Sequence, residues 1–210
     1  LYRNDKRYTK ILKKKKCENK VCNKIRKSGS YLITGGAGGV GLVFAEYLIE
    51  KYNAKVILTG RSDLTDIKEE KIRSYGKNVI YYKCDINNLA EIEELKAFLI
   101  KEKIELNGII HAAGIIRDGM IIRKSLESFK EVISPKVFGL NNMLEKFDLR
   151  HLDFFVTFSS TSSVLGSLGQ CDYAFGNSYQ DNVMRKNSAD KGKCRCLTIN
   201  WPYWQSGGMR

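Results

Sequence analysis

The chain has 210 residues, a net charge of +13 and 43% hydrophobic residues. That length fits a single domain, and these fractions exclude a wholly disordered protein. No stretch approaches the roughly 18 apolar residues that a membrane span needs, and the N-terminus has no apolar signal core, so we expect a cytoplasmic protein without a membrane partner.

The first segment, residues 1–30, carries most of the basic charge. It holds 12 Lys and Arg against two Asp and Glu, which leaves a net charge of +3 for residues 31–210. The run Lys13-Lys14-Lys15-Lys16 has the charge to touch nucleic acid or an anionic lipid surface, but no aromatic residues interleave with it. We therefore interpret the run as a solvated tether and expect no nucleic-acid partner.

From residue 31 onwards, short apolar runs alternate with longer helical patterns. The predicted strands are 31–34, 55–59, 79–82, 108–111, 154–158 and 196–200, and the predicted helices are 40–52, 64–75, 89–102, 129–146 and 173–188. In the first helix, the predicted apolar face consists of Val40, Val43, Phe44, Tyr47 and Leu48. Continuous apolar strands are typical of a parallel sheet covered on both faces. Six β–α steps predict an α/β, Rossmann-like doubly wound sheet.

The turn after the first strand is rich in glycine. It reads Thr34-Gly35-Gly36-Ala37-Gly38-Gly39-Val40-Gly41, with Gly36, Gly38 and Gly41 in G-x-G-x-x-G spacing. Glycines let the backbone approach a pyrophosphate, and a helix N-terminus supplies N–H donors. Because the turn follows an apolar strand and opens an amphipathic helix, we predict a dinucleotide site rather than a tight turn without a ligand.

The ends of the next two strands indicate which dinucleotide binds. Where an NAD site usually has Asp or Glu, the chain has Thr59-Gly60-Arg61-Ser62. Arg61 can pair with a 2′-phosphate and Ser62 can add a hydroxyl, which favours NADPH. In Cys84-Asp85-Ile86, Asp85 can accept a hydrogen bond from the adenine amine, cap the next helix, or do both.

Tyr173, near the start of the last predicted helix, is the candidate general acid for reduction of a ketone. A phenol with an ordinary pKa near 10 needs a nearby cation before it serves well near neutrality. Short-chain reductases usually place a lysine four residues after the tyrosine, but this chain has Asn177 there. Either the enzyme is inactive or the ammonium comes from elsewhere.

At this point the residues resemble the ketoreductase domains of modular polyketide synthases, of the trans-acyltransferase type, in the short-chain dehydrogenase/reductase superfamily. In those domains lysine and asparagine exchange places, and Ser134-Pro135-Lys136-Val137-Phe138-Gly139 is similar to their P-K-V-x-G. The resemblance spans nearly all of residues 31–208. It implies a catalytic tetrad of Lys136, Ser160, Tyr173 and Asn177. It also implies that the cofactor is bound by the glycine turn, by two tetrad members, Lys136 and Tyr173, and by Arg61, Ser62, Cys84, Asp85, Ile86, His111, Ala112, Ala113 and Gly114.

The resemblance also implies a role for each tetrad member. Tyr173 donates the proton, Ser160 holds the carbonyl oxygen, Lys136 lowers the pKa of the tyrosine and contacts ribose, and Asn177 supports the proton relay. Ser159 is a weaker candidate for the serine role. We expect His111 to be a structural hydrogen-bonder and His151 to be a surface residue.

Stereochemistry follows from two departures from the family's markers. The family's L-D-D marker reads Ile116-Arg117-Asp118 here and keeps the second Asp. The opposite class has a Trp where this chain has Leu165, and Gln170 matches the family. The resemblance therefore implies a B-type reductase that gives the D-configured β-hydroxyl, with Asp118, Leu165 and Gln170 as the residues of substrate and stereocontrol.

The implied substrate is a β-ketoacyl chain tethered by phosphopantetheine to an acyl carrier protein, whose acidity suits a basic surface. Neighbouring synthase domains are the other expected partners. We expect residues 1–30 to be a connection from a preceding structural subdomain and residues 31–210 to be the catalytic domain, lacking most of that subdomain and the lid. We expect residues 201–204 to pack where lid and sheet meet.

Two alternatives stay open. A free-standing short-chain reductase on a small ketone or sugar is disfavoured by the exchange of lysine and asparagine. A redox-silent scaffolding domain is disfavoured by the complete tetrad and glycine turn.

Six cysteines include the pairs Cys17-x4-Cys22 and Cys194-x-Cys196, which do not match zinc-ligand spacing. We predict reduced thiols and no metal site.

Overall fold

The computed structural model describes residues 2–8, 11, 13–14, 24–189 and 194–203. The predictions for Cys17, Cys22, Trp204 and the second half of the lysine run lie outside these residues. Within them, no helix is long and apolar enough to cross a membrane, and no cluster of three or more His, Cys, Asp or Glu side chains has the arrangement of a metal site.

Six parallel strands form the central sheet. They are β1 (Ser30–Thr34), β2 (Lys55–Gly60), β3 (Val79–Lys83), β4 (Gly108–His111), β5 (Phe154–Ser160) and β6 (Arg195–Trp201). Their order is β3-β2-β1-β4-β5-β6, and every neighbouring pair is parallel. The order reverses between β1 and β4, which opens a crevice at the carboxyl ends of these two strands. The predicted doubly wound sheet is confirmed. A separate antiparallel pair joins Tyr2–Arg3 to Lys6–Arg7.

The helices are α1 (Gly39–Tyr52), α2 (Asp66–Ser74), α3 (Leu89–Lys101), α4 (Leu126–Ser134), α5 (Leu140–Lys146), α6 (Ser162–Leu165) and α7 (Cys171–Ala189), with 3₁₀ turns at Gly76–Asn78, Ile121–Arg123 and Leu149–His151. The predicted helix around 129–146 is present as a continuous helical stretch that begins at Leu126, but its middle turn, Pro135–Gly139, is π-helical and divides it into α4 and α5. Proline at the start of this turn has no backbone N–H to continue the α-helical ladder. The widened turn carries Lys136.

Apolar side chains cover both faces of the sheet. Leu32, Ile57 and Phe155 pack with α3 and α5 on one face, and Ile33 and Leu58 pack with α1 on the other. Successive residues of a strand point to opposite faces, so both must be apolar. This two-sided burial is the reason that the strands read as continuous apolar runs.

The predicted apolar face of α1 is wrong in part. Its buried residues are Gly41, Leu42, Ala45 and Leu48, while Val43 and Tyr47 are 47% and 43% exposed. A side chain at Gly41 would place its Cβ 2.7 Å from the Cα of Gly36. The close contact with the glycine turn therefore decides which face of α1 meets the sheet.

Leu95 and Ile100 lie on the same helix, α3, and differ in burial. Leu95 is fully buried, so Leu95→Ala should lower the free energy of unfolding by about 3 kcal/mol through lost burial and the cavity left behind. Ile100 is 75% exposed, and Ile100→Ala should change the free energy of unfolding by less than about 0.5 kcal/mol. Urea unfolding of both variants measures this; equal losses would contradict the assigned packing of α3.

Candidate active site

The glycine turn lies at the crevice between β1 and β4. Gly35 has φ +65°, a conformation that favours glycine, and a Cβ there would lie 2.7 Å from the Cα of Ala113. The backbone N–H of Gly38 donates to the carbonyl of Gly35 at 3.0 Å, and α1 has no acidic residue in its first turn. The turn is thus packed closely against the segment that follows β4, and it presents a positive helix end to a phosphate group. The structure brings the predicted cofactor residues 34–41 and 111–114 to the same edge of the sheet.

A cavity of about 130 Å³ continues from this turn along the ends of β2 and β3. It is lined by Gly35, Thr59, Gly60, Arg61, Cys84, Asp85, Ile86, Asn87, Ala113, Gly114, Ile115 and Pro135. The buried side-chain oxygens of Thr59 and Asn87 have no protein partner there. Unsatisfied buried acceptors are costly, so this lining fits a polar ligand with donor groups. Burial raises the pKa of the Cys84 thiol to about 12, which keeps the thiol neutral.

Two predicted cofactor residues have protein partners in this region. A guanidinium nitrogen of Arg61 lies 3.6 Å from a carboxylate oxygen of Glu131, and both side chains are partly exposed. The main-chain carbonyl of Ser62 accepts a hydrogen bond from the hydroxyl of Tyr81. This contact does not involve the hydroxyl of Ser62, so its role in cofactor binding stays a prediction.

The helix-cap alternative for Asp85 is wrong. Asn88 caps α3, since its side chain accepts from the N–H of Ala90 at 3.0 Å. Asp85 instead accepts hydrogen bonds from the backbone and the side chain of Asn87. Asp85 is therefore a member of the cavity wall.

His111 is a buried structural residue. Its Nδ1 lies 2.7 Å from the hydroxyl of Thr34 and its Nε2 lies 3.0 Å from the carbonyl of Pro135. The carbonyl requires a donor, so Nε2 carries the proton. Burial, followed by the charge of Lys136, lowers the pKa of His111 to about 3. A neutral imidazole thus ties β1 and β4 to the turn that carries Lys136. His151, by contrast, is 82% exposed.

A second cavity has a volume of about 310 Å³ and lies beyond the ends of β4, β5 and β6. It is lined by Val40, Ala112, Ile116, Lys136, Phe158, Ser159, Ser160, Thr161, Ser162, Leu165, Gly166, Ser167, Gln170, Tyr173, Trp201, Pro202 and Tyr203. Three of the four predicted tetrad residues are in this wall. The fourth, Asn177, is fully buried one helical turn after Tyr173.

Lys136 reaches into this site from the π-helical turn and is only 2% exposed. Its ammonium donates to the carbonyl of Phe158 at 3.1 Å and to Oε1 of Gln180 at 3.2 Å. It also lies 5.5 Å from the centre of the Tyr173 ring, within the range of a cation–π contact. Burial lowers the pKa of Lys136 to about 8, although the carboxylate of Asp181 opposes the shift.

Tyr173 is buried, and burial raises its pKa above the usual value. The nearby Asn177 and Ser160 side chains lower it, and the Asp118 carboxylate raises it. The amide of Asn177 donates to the carbonyl of Tyr173 at 2.8 Å, while its Oδ1 has no protein partner. An unpartnered acceptor this close to the cavity suits a role in holding a water or a ligand donor.

The two serines at the end of β5 differ in their surroundings. Ser159 is buried beneath α7 and its hydroxyl lies 3.5 Å from the carbonyl of Asn177. The hydroxyl of Ser160 accepts from the N–H of Ser162 at 3.2 Å and is close enough to Tyr173 to lower the pKa of the phenol. Ser160 therefore suits the serine role better than Ser159 does.

Two of the three predicted stereocontrol residues, Leu165 and Gln170, line this cavity, and the third, Asp118, contacts Gln170. The amide of Gln170 donates to both carboxylate oxygens of Asp118, at 3.0 and 3.2 Å. Leu165 lines the same cavity at the end of α6. Trp201 packs edge-on against Phe158 and Phe44 at the end of β6.

Sequence reasoning missed the residues that surround Lys136. A Cβ at Gly176 would lie 3.3 Å from the Lys136 side chain, so glycine makes room for it on α7. Gln180 is fully buried and joins Lys136 to β5. Both follow Tyr173 at helical spacings of three and seven, and that spacing was the available signal.

Titration of Lys136 should appear in the stability of the fold. Burial lowers its pKa to about 8 in the folded chain, from the ordinary value of 10.5 that it has in the unfolded chain. The unfolded chain therefore binds more protons between these two pH values, and stability rises with pH. Compared with Lys136→Met, the native free energy of unfolding should gain about 2 kcal/mol between pH 7.5 and pH 10. Denaturant unfolding at both pH values measures the gain. The control Lys101→Met, at an exposed position on α3, should show the same gain as the native chain. An equal gain in Lys136→Met would contradict the burial of a charged ammonium.

Known proteins share this sequence and fold. The KR domain family model matches residues 29–206. Polyketide synthase PksM of Bacillus subtilis (strain 168) is 38% identical over all of this chain, and PksN of the same organism is 41% identical over 87% of it. The chain spans only 5% and 4% of the lengths of these two proteins.

Solved structures give the same result. A ketoreductase domain from the bacillaene assembly line is 40% identical with a TM-score of 0.82, covering 92% of this chain and 48% of that one. A ketoreductase from the macrolactin assembly line is 43% identical with a TM-score of 0.78, covering 86% and 38%. A 3-ketoacyl-(acyl-carrier-protein) reductase from Brucella melitensis, solved with NADH, is 18% identical with a TM-score of 0.76, covering 84% and 76%, and shows the fold alone.

Proposed function

This chain belongs to the ketoreductase (KR) domain family of polyketide synthases, and from that premise we propose that it reduces the β-ketone of a β-ketoacyl thioester with NADPH. The thioester is carried by phosphopantetheine on an acyl carrier protein, as part of a synthase of the trans-acyltransferase type in the cytoplasm. The observation that carries the proposal is the buried ammonium of Lys136 against the ring of Tyr173, beside a cavity that contains Ser160.

The cofactor residues fit a nicotinamide dinucleotide. The glycine turn opens α1, which has no acidic residue in its first turn, and the neighbouring cavity contains Asp85 and the unpartnered oxygens of Thr59 and Asn87. When bound, NADPH supplies the hydride. Arg61 supports the preference for NADPH, since its guanidinium has only a long, partly exposed contact with Glu131 and can exchange it for a phosphate.

The side chains at the cavity supply the proton and hold the ketone. The hydroxyl of Ser160 donates to the carbonyl oxygen, and the phenol of Tyr173 gives its proton to that oxygen as negative charge develops. The raised pKa of Tyr173 keeps the phenol protonated before the reaction. Lys136 stabilises the phenolate that remains, and Asn177 offers a free acceptor for the water that returns the proton.

Stereochemistry depends on the side from which the thioester enters. We assign Asp118, held by Gln170, to this selection and propose a B-type product with a D-configured hydroxyl. Leu165 borders the same cavity. The net charge of +13, most of which lies in residues 1–30, is complementary to an acidic carrier protein. Residues 1–30 serve as a connection to a preceding subdomain in this proposal, and residues 31–210 form the catalytic domain.

Tyr173→Phe tests the assignment of the acid. The variant loses the proton donor but keeps the ring beneath Lys136, so turnover of a β-ketoacyl thioester surrogate should fall about a thousandfold. NADPH binding, followed by fluorescence, should stay within about twofold. Native turnover in the variant would refute the role of Tyr173.

Arg61→Ala tests the preference for NADPH. Loss of charge-assisted hydrogen bonds should weaken NADPH binding about tenfold to a hundredfold and leave NADH binding unchanged. Titration calorimetry with each cofactor measures the difference. Arg73→Ala is the matched control, because Arg73 is exposed and pairs with Glu69 on its own helix. Equal losses for both cofactors would show that Arg61 does not recognise the 2′-phosphate.

A further inference from the structure

A set of polar contacts fastens residues 117–124 to residues 169–172, immediately before Tyr173. The contacts are Lys124 Nζ to Asp172 Oδ2 at 2.6 Å, Lys124 Nζ to the carbonyl of Arg117, Gln170 Nε2 to Asp118 Oδ1 at 3.0 Å, and Gly119 N to the carbonyl of Gly169 at 2.9 Å. One segment carries Asp118 and the other begins the helix of Tyr173. The contacts therefore connect the stereocontrol segment to the catalytic helix.

The Lys124–Asp172 ion pair is the buried member of this set. Its two side chains are 4% and 1% exposed. In every other ion pair of the described residues, at least one side chain is 49% exposed or more. Asp172 uses its second oxygen, Oδ1, to accept the backbone N–H of Tyr173 at 2.9 Å. A single carboxylate thus joins the ammonium of Lys124 to the main chain of Tyr173.

The location of the pair favours a geometric role. A buried ion pair is weak support for stability, because desolvation offsets much of the attraction, and an apolar pair of similar volume often serves as well. Two opposite charges 2.6 Å apart also cancel at a distance. The pair is directional, however, and its hydrogen bonds reach Arg117, next to Asp118, and Tyr173 at the same time.

We propose that Lys124 and Asp172 are positioning residues, which hold Asp118 and Tyr173 in a fixed relation and so decide which face of the ketone receives the hydride. This inference rests on the proposed ketone reduction. Lys124 and Asp172 act through their neighbours and need not touch the substrate.

The test compares Lys124→Met, Asp172→Asn, Lys124→Arg and the double variant Lys124→Met/Asp172→Leu, each in the full chain with NADPH and a β-ketoacyl thioester surrogate. Chiral chromatography of the hydroxy product gives the ratio of hydroxyl configurations, and initial rates give kcat and KM. We expect Lys124→Met and Asp172→Asn to lower the ratio at least fivefold and kcat about tenfold, with KM within about twofold. Lys124→Arg, which keeps the charge and the donors, should restore most of the ratio.

The apolar double variant separates positioning from folding. It removes both buried charges, so it should unfold at a denaturant concentration close to that of the native chain and still give the lowered ratio. The control Lys146→Met breaks an ion pair of the same 2.6 Å length between α5 and α3 and should keep the native ratio. A folded double variant with the native ratio would overturn the proposal, whereas a native chain that does not oxidise NADPH would overturn the proposed function and this inference with it.

Discussion

The ammonium of Lys136 is held inside the protein, and the rest of the site is arranged around it. An isolated buried charge is strongly unfavourable, so it must be met by acceptors and opposite charge. The carbonyl of Phe158, the amide oxygen of Gln180, the face of Tyr173 and the field of Asp181 meet it here. These groups come from β5 and α7, while the lysine comes from the π-helical turn. The charge is therefore stable only when all three elements are in place.

The topology of the sheet explains why these elements meet. Carboxyl ends of parallel strands share one edge, and the reversal of strand order between β1 and β4 leaves that edge open. A line of hydrogen bonds crosses the opening from Thr34 through His111 to the carbonyl of Pro135, one residue before Lys136. The position of the lysine is thus connected to the strand that ends in the glycine turn. Cofactor site and proton donor are parts of one rigid arrangement.

The sequence was informative where a residue acts through local geometry. Continuous apolar strands predicted the parallel sheet. The glycine turn and the position of Lys136 after Pro135 pointed to residues that the structure places at one edge of that sheet, and their roles stay predictions. The face of α1 was predicted wrongly in part, at Val43 and Tyr47, because the contact between Gly41 and Gly36 outweighs apolar periodicity. The π-helical turn between α4 and α5 begins at Pro135, and apolar periodicity alone does not predict such a turn.

Long-range polar contacts could not be predicted in the same way. Gln180, Lys124 and Asp172 look like ordinary polar residues in the sequence, and only the packing of α7 shows that their side chains are buried. Asp85 is a candidate whose local role was predicted but is filled by a neighbour, since Asn88, three residues later, caps α3. Two candidates for one local role cannot be separated until the backbone is known.

The central claim is that the ammonium of Lys136 serves Tyr173 in place of a lysine one helical turn later. The most direct measurement is the rate of NADPH oxidation with a β-ketoacyl thioester surrogate, for the native chain, Lys136→Met and Lys136→Met/Asn177→Lys, with cofactor binding measured in parallel. The account predicts that the native chain turns over, that Lys136→Met loses at least about a hundredfold in kcat, and that the lysine at position 177 restores part of the rate. Native turnover in a folded Lys136→Met variant would contradict it.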